Sequence, residues 1–285
     1  MDAGQVTRTE VPEAFDEVAE RYDLMVGMSP GYHAQLRASA DALLDAVPDA
    51  VPDLVSGTVP DTVSVSAGAG PGRADAPLRL LDLGCGSGAS TRALVESVRR
   101  HAIPGGRTAA RPAEVLAVDG SAGMLDAART KAWPSWVGFA QGRAEALADQ
   151  PELAEARADG GLDGVLAAYL VRNVPDRDAV IAAIHDELRP GGVLAVHDYS
   201  VRGQPAATAL WTAMCWAIII PLGWVTSRNT RLYRYLWRSG LDMDSTAELE
   251  ARLRRAGFVD VTTHHAGGWQ RGIVHTVVGR RPAGA

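Results

Sequence analysis

One stretch decides the fold, Asp82-Leu83-Gly84-Cys85-Gly86-Ser87-Gly88. It follows an apolar run, Leu78 to Leu81, that is typical of a buried strand, and it precedes a helical pattern from Ala89 to Arg100. The glycines therefore fall on a strand-to-helix turn. A missing Cβ lets the backbone approach a ligand closely there, and the first N–H groups of the helix are free to bind it. The stretch predicts a site for a nucleotide-like cofactor.

The spacing within this stretch favours one cofactor over another. Gly84, Gly86 and Ala89 satisfy the loose Gly-x-Gly-x-x-Gly/Ala rule for dinucleotides. The full acidic-x-Gly-x-Gly-x-Gly pattern, however, resembles the turn of class I methyltransferases that use S-adenosylmethionine. Asp82 discriminates between the two, because a carboxylate suits a cationic amino group and would repel a pyrophosphate. Dinucleotide binding and a purely structural turn stay open as minor alternatives.

A second acid, Asp119, follows the apolar run Val115 to Val118. At the end of a second strand it is placed to accept hydrogen bonds from both ribose hydroxyls. Its distance from the glycine turn exceeds the roughly 20 residues of a short βαβ unit. We interpret the Pro/Gly/Arg-rich stretch from Ile103 to Pro112 as a loop insertion that accounts for the excess.

Composition predicts a soluble enzyme. The chain has 285 residues, 47% of them hydrophobic, and a net charge of -6. That charge argues against nucleic acid as the main partner, because phosphate neutralisation needs a basic surface. Two cysteines, Cys85 and Cys215, suggest no disulfide framework, and no signal peptide is visible. No His/Cys/Asp set has metal-ligand spacing, so we expect no metal and a cytoplasmic location.

Three regions are predicted along the chain. Residues 1–47, with helical patterns over 13–25 and 32–47, form an N-terminal helical lid. Residues 48–77 are a flexible loop insertion without catalytic duty, because their Pro, Gly, Asp, Val, Ser and Ala cannot bury enough surface. Residues 78–285 form the cofactor-binding domain, in which strands and helices alternate. This alternation predicts an α/β fold whose mostly parallel sheet, with seven strands and helices on both faces, binds ligands at the carboxyl ends of its strands.

A cap is predicted at residues 201–240. Ala206 to Ser227 carries no charge, and Pro221 and Gly223 interrupt it, which disfavours a membrane-spanning helix. Three interpretations stay open: a helix packed on the core, a cap that lines an apolar substrate pocket, and a segment that rests on a membrane surface.

Further motifs identify a family. The chain resembles the UbiE/COQ5 C-methyltransferases of menaquinone and ubiquinone biosynthesis in residues 15–25, 31–33, 172–176, 188–192, 233–236 and 256–258. The resemblance covers most of the chain outside residues 48–77. It implies a Rossmann-like class I methyltransferase fold with a helical lid and cap, and S-adenosylmethionine as cofactor.

The resemblance also implies a set of cofactor-binding residues. Arg143 stands where relatives have Asn or Asp beside adenine, so recognition there falls to the Ala144 backbone or to stacking by the guanidinium. Ala168 replaces a serine near the cofactor. The predicted cofactor residues are Tyr22, Asp82, Gly84, Gly86, Ser87, Gly88, Asp119, Gly120, Met124, Arg143, Ala144 and Ala168.

The acceptor side follows from the reaction that the resemblance implies, C-methylation of a lipophilic quinol. Arg172 and Asn173 are predicted to stabilise the oxyanion or to orient a water, and His33 to act as a base. The alternatives are a salt bridge from Arg172 to Asp176 or Asp178, a capping role for Asn173, and a lid histidine bonded to a carbonyl. The predicted substrate residues are Tyr169, Tyr199, Trp211, Trp216, Ile219 and Tyr233.

Two other functions stay open at this point. One is methylation of a different apolar phenol, carbon acid or isoprenoid in specialised metabolism. The other is a methyltransferase fold that binds the cofactor but acts as a cyclase or binding protein. In every case the predicted partner is a small lipophilic molecule, and peripheral membrane contact and a homodimer are open.

Overall fold

The computed structural model describes residues 6–16, 31–47, 77–102, 112–227 and 230–283. A seven-stranded sheet with the order β3-β2-β1-β4-β5-β7-β6 forms its centre. β7 runs antiparallel to both of its neighbours, whereas β1 to β5 pair in parallel. The strands are β1 Leu78–Leu83, β2 Ala113–Asp119, β3 Val137–Gln141, β4 Leu162–Ala168, β5 Leu188–Tyr199, β6 Val259–His265 and β7 Val274–Arg280. The predicted α/β class and the seven strands are confirmed, and β6 and β7 close the sheet as an antiparallel hairpin.

Helices cover both faces of the sheet. One hydrophobic cluster joins the sheet to α2 and α3, and another joins it to α6 and α10. The helices of the described residues are α1 Val11–Asp16, α2 Tyr32–Ala46, α3 Ala89–His101, α4 Ala122–Arg129, α5 Ala154–Ala158, α6 Arg177–Glu187, α7 Pro205–Met214, α8 Ile220–Ser227, α9 Arg231–Asp242 and α10 Thr246–Arg255. All six residues of β1 are buried, as expected for a central strand packed on both faces.

Local sequence signals set several helix ends. The Asp176 side chain accepts a hydrogen bond from the Ala179 N–H and caps α6. Ser245 and Glu248 form a capping box at the start of α10. These caps fix where both helices begin.

The N-terminal region differs from the predicted lid. Leu36, Ala40, Leu43 and Leu44 of α2 are all at most 1% exposed, and they lie in the cluster shared with the sheet. α2 is therefore a core helix, and only its first turn reaches the cavity described below. The helical pattern shows an apolar face but not what that face packs against, which explains the error.

α7 to α9 form the predicted cap. Trp211 and Cys215 are buried against the end of the sheet, in a cluster with Ile273 and Val274. A π-helical turn, Cys215–Ile219, joins α7 to α8. The continuous span Pro205–Val225 is long and apolar enough to cross a membrane by length and composition, with a mean hydropathy of 1.6 and 28% of its most apolar window buried. The cap packs on the domain with one side and exposes the other.

Candidate active site

A cavity opens at the carboxyl ends of β1, β2 and β4, where the strand order reverses. The glycine turn forms its floor, and Asp119 and Gly120 form one wall. The segment that follows β4 forms the opposite wall. α1 and the first turn of α2 cover it. The cavity therefore brings most of the predicted cofactor residues together with Tyr169, Arg172 and Asn173 of the predicted acceptor residues.

The backbone of the glycine turn requires glycine. Gly84, Gly86 and Gly88 have φ values of 77°, 53° and 92°, a region that residues with a Cβ rarely adopt. A Cβ at Gly84 would lie 3.0 Å from Leu170 Cδ1, and one at Gly88 would lie 2.8 Å from Trp133. A Cβ at Gly86 meets nothing within 4 Å, because this residue faces the open cavity. The turn is a cradle that a ligand can approach closely.

Asp119 connects β2 to this cradle. Its Oδ2 accepts the Gly86 N–H at 2.7 Å, and its Oδ1 accepts the Ser121 N–H at 2.8 Å. Each carboxylate oxygen keeps further acceptor capacity toward the cavity that Asp119 lines. Burial raises the pKa of this carboxyl, and the backbone N–H bonds oppose that shift. The arrangement suits the predicted contacts with ribose hydroxyls.

Asp82 lies below the turn rather than on the cavity wall. It is 0% exposed, and its Oδ2 accepts the Ser90 and Thr91 hydroxyls at 2.8 and 2.6 Å. Its Oδ1 has no hydrogen-bond partner within the described part of the chain. Burial raises the pKa of this carboxyl to about 7. Asp82 thus ties β1 to the start of α3, and the direct contact with the cofactor amino group that the sequence predicts is not supported by its position.

α1 is fastened over the Asp119 wall by two acids. Asp16 Oδ1 accepts the Ser121 hydroxyl at 2.5 Å and the Gly123 N–H at 2.8 Å. Glu13 forms an ion pair of 2.8 Å with Arg143, whose guanidinium also donates to the Thr9 carbonyl. The guanidinium is therefore hydrogen-bonded to the N-terminal segment at the edge of the cavity that Arg143 lines, and its stacking on adenine stays a prediction. Asp16 and Glu13 were not predicted, since more than 100 residues separate each from its partner.

An ion pair anchors the wall that follows β4. We call it the acceptor wall, because the predicted acceptor residues Tyr169, Arg172 and Asn173 line the cavity there. Arg172 Nη1 donates to Asp198 Oδ1 at 2.6 Å, and the Arg172 N–H donates to Asp198 Oδ2. The two side chains are only 5% and 2% exposed. The pair joins the end of β4 to β5 and replaces the salt bridge to Asp176 or Asp178 that the sequence offered as an alternative.

The backbone at the end of β4 is held in an unusual conformation. Tyr169 has a φ of 56°, uncommon for a residue with a side chain, and its carbonyl accepts both the Arg172 guanidinium and the Asn173 amide. Asn173 Oδ1 is buried and has no hydrogen-bond partner among the described residues. It does not cap a helix, because Asp176 fills that role. Asn173 lines the cavity, and its Oδ1 is a buried hydrogen-bond acceptor in that wall.

Aromatic rings continue from this wall into the cap. Tyr169 stacks on Tyr32 at 5.5 Å and on Tyr199 at 4.8 Å between ring centroids, and Tyr199 contacts Trp211 at 4.6 Å. The Arg172 guanidinium lies over the rings of Tyr169 and Tyr199. Tyr32 and Tyr169 line the cavity, whereas Tyr199 and Trp211 do not.

A polar group that sequence analysis did not assign lies behind Tyr169. The Tyr169 hydroxyl contacts Gln35 Oε1 at 3.3 Å and His197 Nε2 at 3.2 Å, and His197 Nδ1 contacts the Thr276 hydroxyl. Burial lowers the pKa of His197 to about 3, so the ring is neutral. These contacts fix the orientation of the Tyr169 ring at the cavity wall.

Several predicted site residues lie elsewhere. His33 is exposed on α2 and outside the cavity lining, because Tyr32 and Leu36 occupy the inward face of the helix. Trp216 is 48% exposed, and Trp211, Ile219 and Tyr233 pack within the cap. The cap covers the end of the sheet beside the cavity, so the apolar side chains of the cap do not line the cavity. The Tyr22 prediction lies outside the described residues, whereas Ser87, Gly120, Met124, Arg143, Ala144 and Ala168 line the cavity.

The residues present fit S-adenosylmethionine. The open cradle at Gly86 admits close backbone approach, and Asp119 offers acceptors to a ribose. The fold and the site define a class I S-adenosylmethionine-dependent methyltransferase.

Comparison with known proteins gives the family. A model of the ubiE/COQ5 methyltransferase family matches residues 3–280, and the chain belongs to this family. A demethylmenaquinone methyltransferase of Lactococcus lactis subsp. lactis is 31% identical over 194 residues, 67% of this chain and 69% of that protein. A ubiquinone/menaquinone biosynthesis C-methyltransferase UbiE of Rhizobium leguminosarum bv. trifolii is 28% identical and covers 90% of this chain and 85% of its own.

Among solved structures, the [4+2]-cyclase SpnF is similar in fold. Its TM-score is 0.56 at 18% sequence identity, and the match covers 98% of each chain. At this identity the likeness concerns the fold alone.

Proposed function

We propose that the enzyme methylates a ring carbon next to a hydroxyl of a lipophilic quinol. The observation that carries the proposal is the wall after β4, where the Tyr169 ring, Arg172 and Asn173 face the same cavity as the glycine cradle. Flat rings suit an aromatic acceptor, and the two polar side chains suit its hydroxyl. The names of the relatives, which refer to demethylmenaquinone and to ubiquinone/menaquinone biosynthesis, support this acceptor class.

When bound, S-adenosylmethionine would supply a methyl group attached to a positively charged sulfur. A carbon nucleophile of the substrate would take this methyl, and the neutral thioether would leave. The task of the protein is to hold that carbon in line with the methyl, a positioning effect worth up to about 7 to 11 kcal/mol. In this proposal, Asn173 Oδ1 accepts a hydrogen bond from the substrate hydroxyl. Arg172 stabilises the negative charge that develops on the substrate oxygen as this hydroxyl loses its proton. A water in the cavity takes the hydroxyl proton, and the ring carbon becomes nucleophilic and bonds the methyl as the bond from that methyl to sulfur breaks. The methylated ring carbon then loses its own hydrogen as a proton to water, which restores the aromatic ring. α1 and α2 cover the cavity and limit the access of water.

The acceptor wall also constrains how strongly Arg172 can act. Its charge is shared with Asp198 in a buried pair, so it is a fixed, partly neutralised cation rather than an isolated one. Fixed dipoles and charges need no reorganisation during the reaction. We propose that Asp198 positions Arg172 and that Arg172 and Asn173 contact the acceptor.

Product analysis tests this function. The enzyme is incubated with S-adenosylmethionine and reduced demethylmenaquinone carrying a short tail, and separately with a panel of polyketide phenols. We expect a mass increase of one methylene unit for the quinol, with NMR placing the methyl on the ring carbon. Methylation of oxygen, or turnover of a phenol but not of the quinol, would contradict the proposal.

The proposal extends to partner and location. We propose that the enzyme is cytoplasmic and that its partner is a small lipophilic quinol. Because such quinols dissolve in the membrane, the proposal includes peripheral contact between the enzyme and the membrane. The exposed apolar side of the cap supports the contact. A homodimer stays a prediction without support in these observations.

A further inference from the structure

The cap exposes an apolar face. We define this face by Leu210, Trp216, Ile218, Trp224 and Val225, which are 40%, 48%, 50%, 55% and 67% exposed. All five lie on the continuous helical span that packs on the domain through Trp211 and Cys215. Single exposed apolar residues are ordinary, but a cluster of large ones on one segment marks a contact surface.

A basic cleft lies beside this face. Residues 6–8 and α9 line it, and we define the arginine cleft by Arg8, Arg231, Arg234 and Arg238. Among the described lining residues Asp242 is the one carboxylate, and it pairs with Arg8, while Glu10 lies near Arg231 outside the lining. The Tyr235 hydroxyl, another lining group, is buried without a hydrogen-bond partner in the described chain. This concentration of positive charge stands out in a chain whose net charge is -6.

The two features are continuous. The Arg234 guanidinium carbon lies 5.9 Å from the centroid of the Trp216 ring, at the border between the apolar face and the arginine cleft. Arg234 and Arg238 are exposed, so their charges are open to solvent. Tryptophan and arginine side by side are typical of surfaces at the boundary of a lipid bilayer, where rings enter the interface and guanidinium groups meet phosphates.

We propose that the apolar face and the arginine cleft dock the enzyme on a bilayer that contains anionic phospholipids. The apolar face enters the interface, and the arginine cleft binds headgroup phosphates. The proposal specifies the membrane contact named under the proposed function. It rests on that function, because a lipophilic quinol substrate gives the enzyme a reason to bind a membrane. Charge complementarity favours this occupant over a second copy of the chain, because a two-fold interface on this face would bring two basic clefts together.

Vesicle co-sedimentation tests the proposal with the full chain, in the absence of acceptor and cofactor. One set of vesicles is phosphatidylcholine alone, and the other contains phosphatidylglycerol as well. We expect binding to the anionic vesicles that weakens with added salt. Arg234→Ala and Arg238→Ala should each reduce the partition coefficient about fivefold, and the double variant about 25-fold. The variant Arg37→Ala/Arg99→Ala removes the same charge from exposed positions of α2 and α3 and should bind like the wild type.

The apolar half is tested by Ile218→Ser/Trp224→Ser. We expect a loss of at least about tenfold in binding to anionic vesicles, since two large apolar side chains no longer leave water. Unchanged circular dichroism and melting temperature show that the variant folds. Methylation of a short-tailed quinol in detergent should be unaffected by Arg234→Ala/Arg238→Ala.

Four outcomes would overturn the proposal. One is equal binding of neutral and anionic vesicles by the wild type and the double arginine variant. Another is a cleft that binds inorganic phosphate while the protein ignores vesicles. A third is a dimer that Ile218→Ser/Trp224→Ser dissociates, without vesicle binding. The last is an equal loss of binding in the Arg37→Ala/Arg99→Ala control. Vesicle binding without quinol methylation would refute the proposed function instead, so the two failures are distinguishable.

Discussion

At the scale of single residues, Asp82 shows how a cofactor motif also carries a stability cost. Its carboxyl is fully buried, and burial raises its pKa to about 7. A group whose pKa is raised on folding contributes stability below its unfolded pKa of about 3.9. This contribution is lost as the pH rises through the folded pKa. Asp82 therefore opposes folding at alkaline pH in the cofactor-free protein.

We predict that Asp82→Asn is more stable than the wild type at pH 8 and that this advantage is smaller at pH 5. The amide keeps the shape but carries no charge to desolvate, so the difference grows between pH 5 and pH 8. Urea unfolding of the cofactor-free proteins across this range measures it. Asp126→Asn, at an exposed acid of α4, is the matched control. A constant difference at all pH values would show that Asp82 titrates normally.

The Arg172–Asp198 pair needs a two-step test. Arg172→Ala alone leaves Asp198 buried without its counter-charge, which costs about 3 to 5 kcal/mol of stability and obscures any effect on the reaction. Arg172→Met/Asp198→Asn removes both charges and keeps similar volumes. For this folded double variant we predict a kcat lower by on the order of 100-fold, with S-adenosylhomocysteine affinity within a few-fold of the wild type.

Calorimetry and turnover measure the two quantities separately. Asp198→Asn alone, with a pH profile of kcat, shows whether Asp198 acts only by positioning Arg172. Near-wild-type turnover of the double variant would mean that the pair is purely structural.

Arg172 also marks the limit of sequence reasoning at this scale. Its place at the end of β4 follows from the strand pattern and the family motif. Its partner does not, because Asp176 and Asp178 are near in sequence, whereas Asp198 is brought close by the pairing of β4 with β5. Asp119 was predictable, since its role depends on one strand end, but Asp16 was not.

At the scale of elements, α1 is the part that closes the cofactor side. Its described part, Val11–Asp16, is held over the cavity by side-chain contacts with the start of α4 and with Arg143. Asp16 accepts two hydrogen bonds at the start of α4, and Glu13 pairs with Arg143. We therefore expect a substitution in α1 to change cofactor affinity by loosening the cover over the cavity.

We predict that Asp16→Ala weakens S-adenosylhomocysteine binding by about three- to tenfold, which corresponds to the roughly 1 kcal/mol of a lost helix cap. Glu13→Ala should have a smaller effect, because its ion pair with Arg143 is exposed. Calorimetric titration measures both, and Asp126→Ala removes a carboxylate from α4 without touching α1. Equal affinities of Asp16→Ala and the wild type would show that α1 does not cover the bound cofactor.

Elements also differ in how far the sequence predicts them. Largely apolar runs such as Leu78–Leu83, which contains Arg79 and Asp82, and the run that begins at Val193 identify strands, because a strand buried on both faces is mostly apolar. The helix α2 was predicted correctly as a helix but assigned to the lid. Its role depends on tertiary packing, which the helical period does not contain.

At the scale of the whole molecule, the glycine turn, Asp119 and the segment after β4 line one cavity, and the cap lies beside this cavity. Trp211 contacts Tyr199, which stacks on Tyr169 at the acceptor wall, so the cap supports the site through a row of rings. The apolar stretch from Ala206 to Ser227 suggested a substrate pocket. The structure turns part of this apolar surface inward to the sheet and part outward, a division that composition alone does not reveal.

The last prediction concerns residues 48–76, which lie outside the described residues and whose composition predicts no part in the site. The flanking Val47 and Leu78 are buried in the same hydrophobic cluster, so the two anchoring ends are fixed by the core.

We predict that a Gly/Ser linker of about ten residues in place of 48–76 keeps turnover within a few-fold. Loop closure depends weakly on length, and this shortening should change stability by only about 1 kcal/mol. Turnover and urea unfolding measure the two effects, and a linker of the original length serves as the control. If the short variant is inactive and the long one active, the linker fails to span the two anchors. If both fold and neither turns over, the segment contributes side chains to the active site, and the site then extends beyond the cavity between β1, β2 and β4.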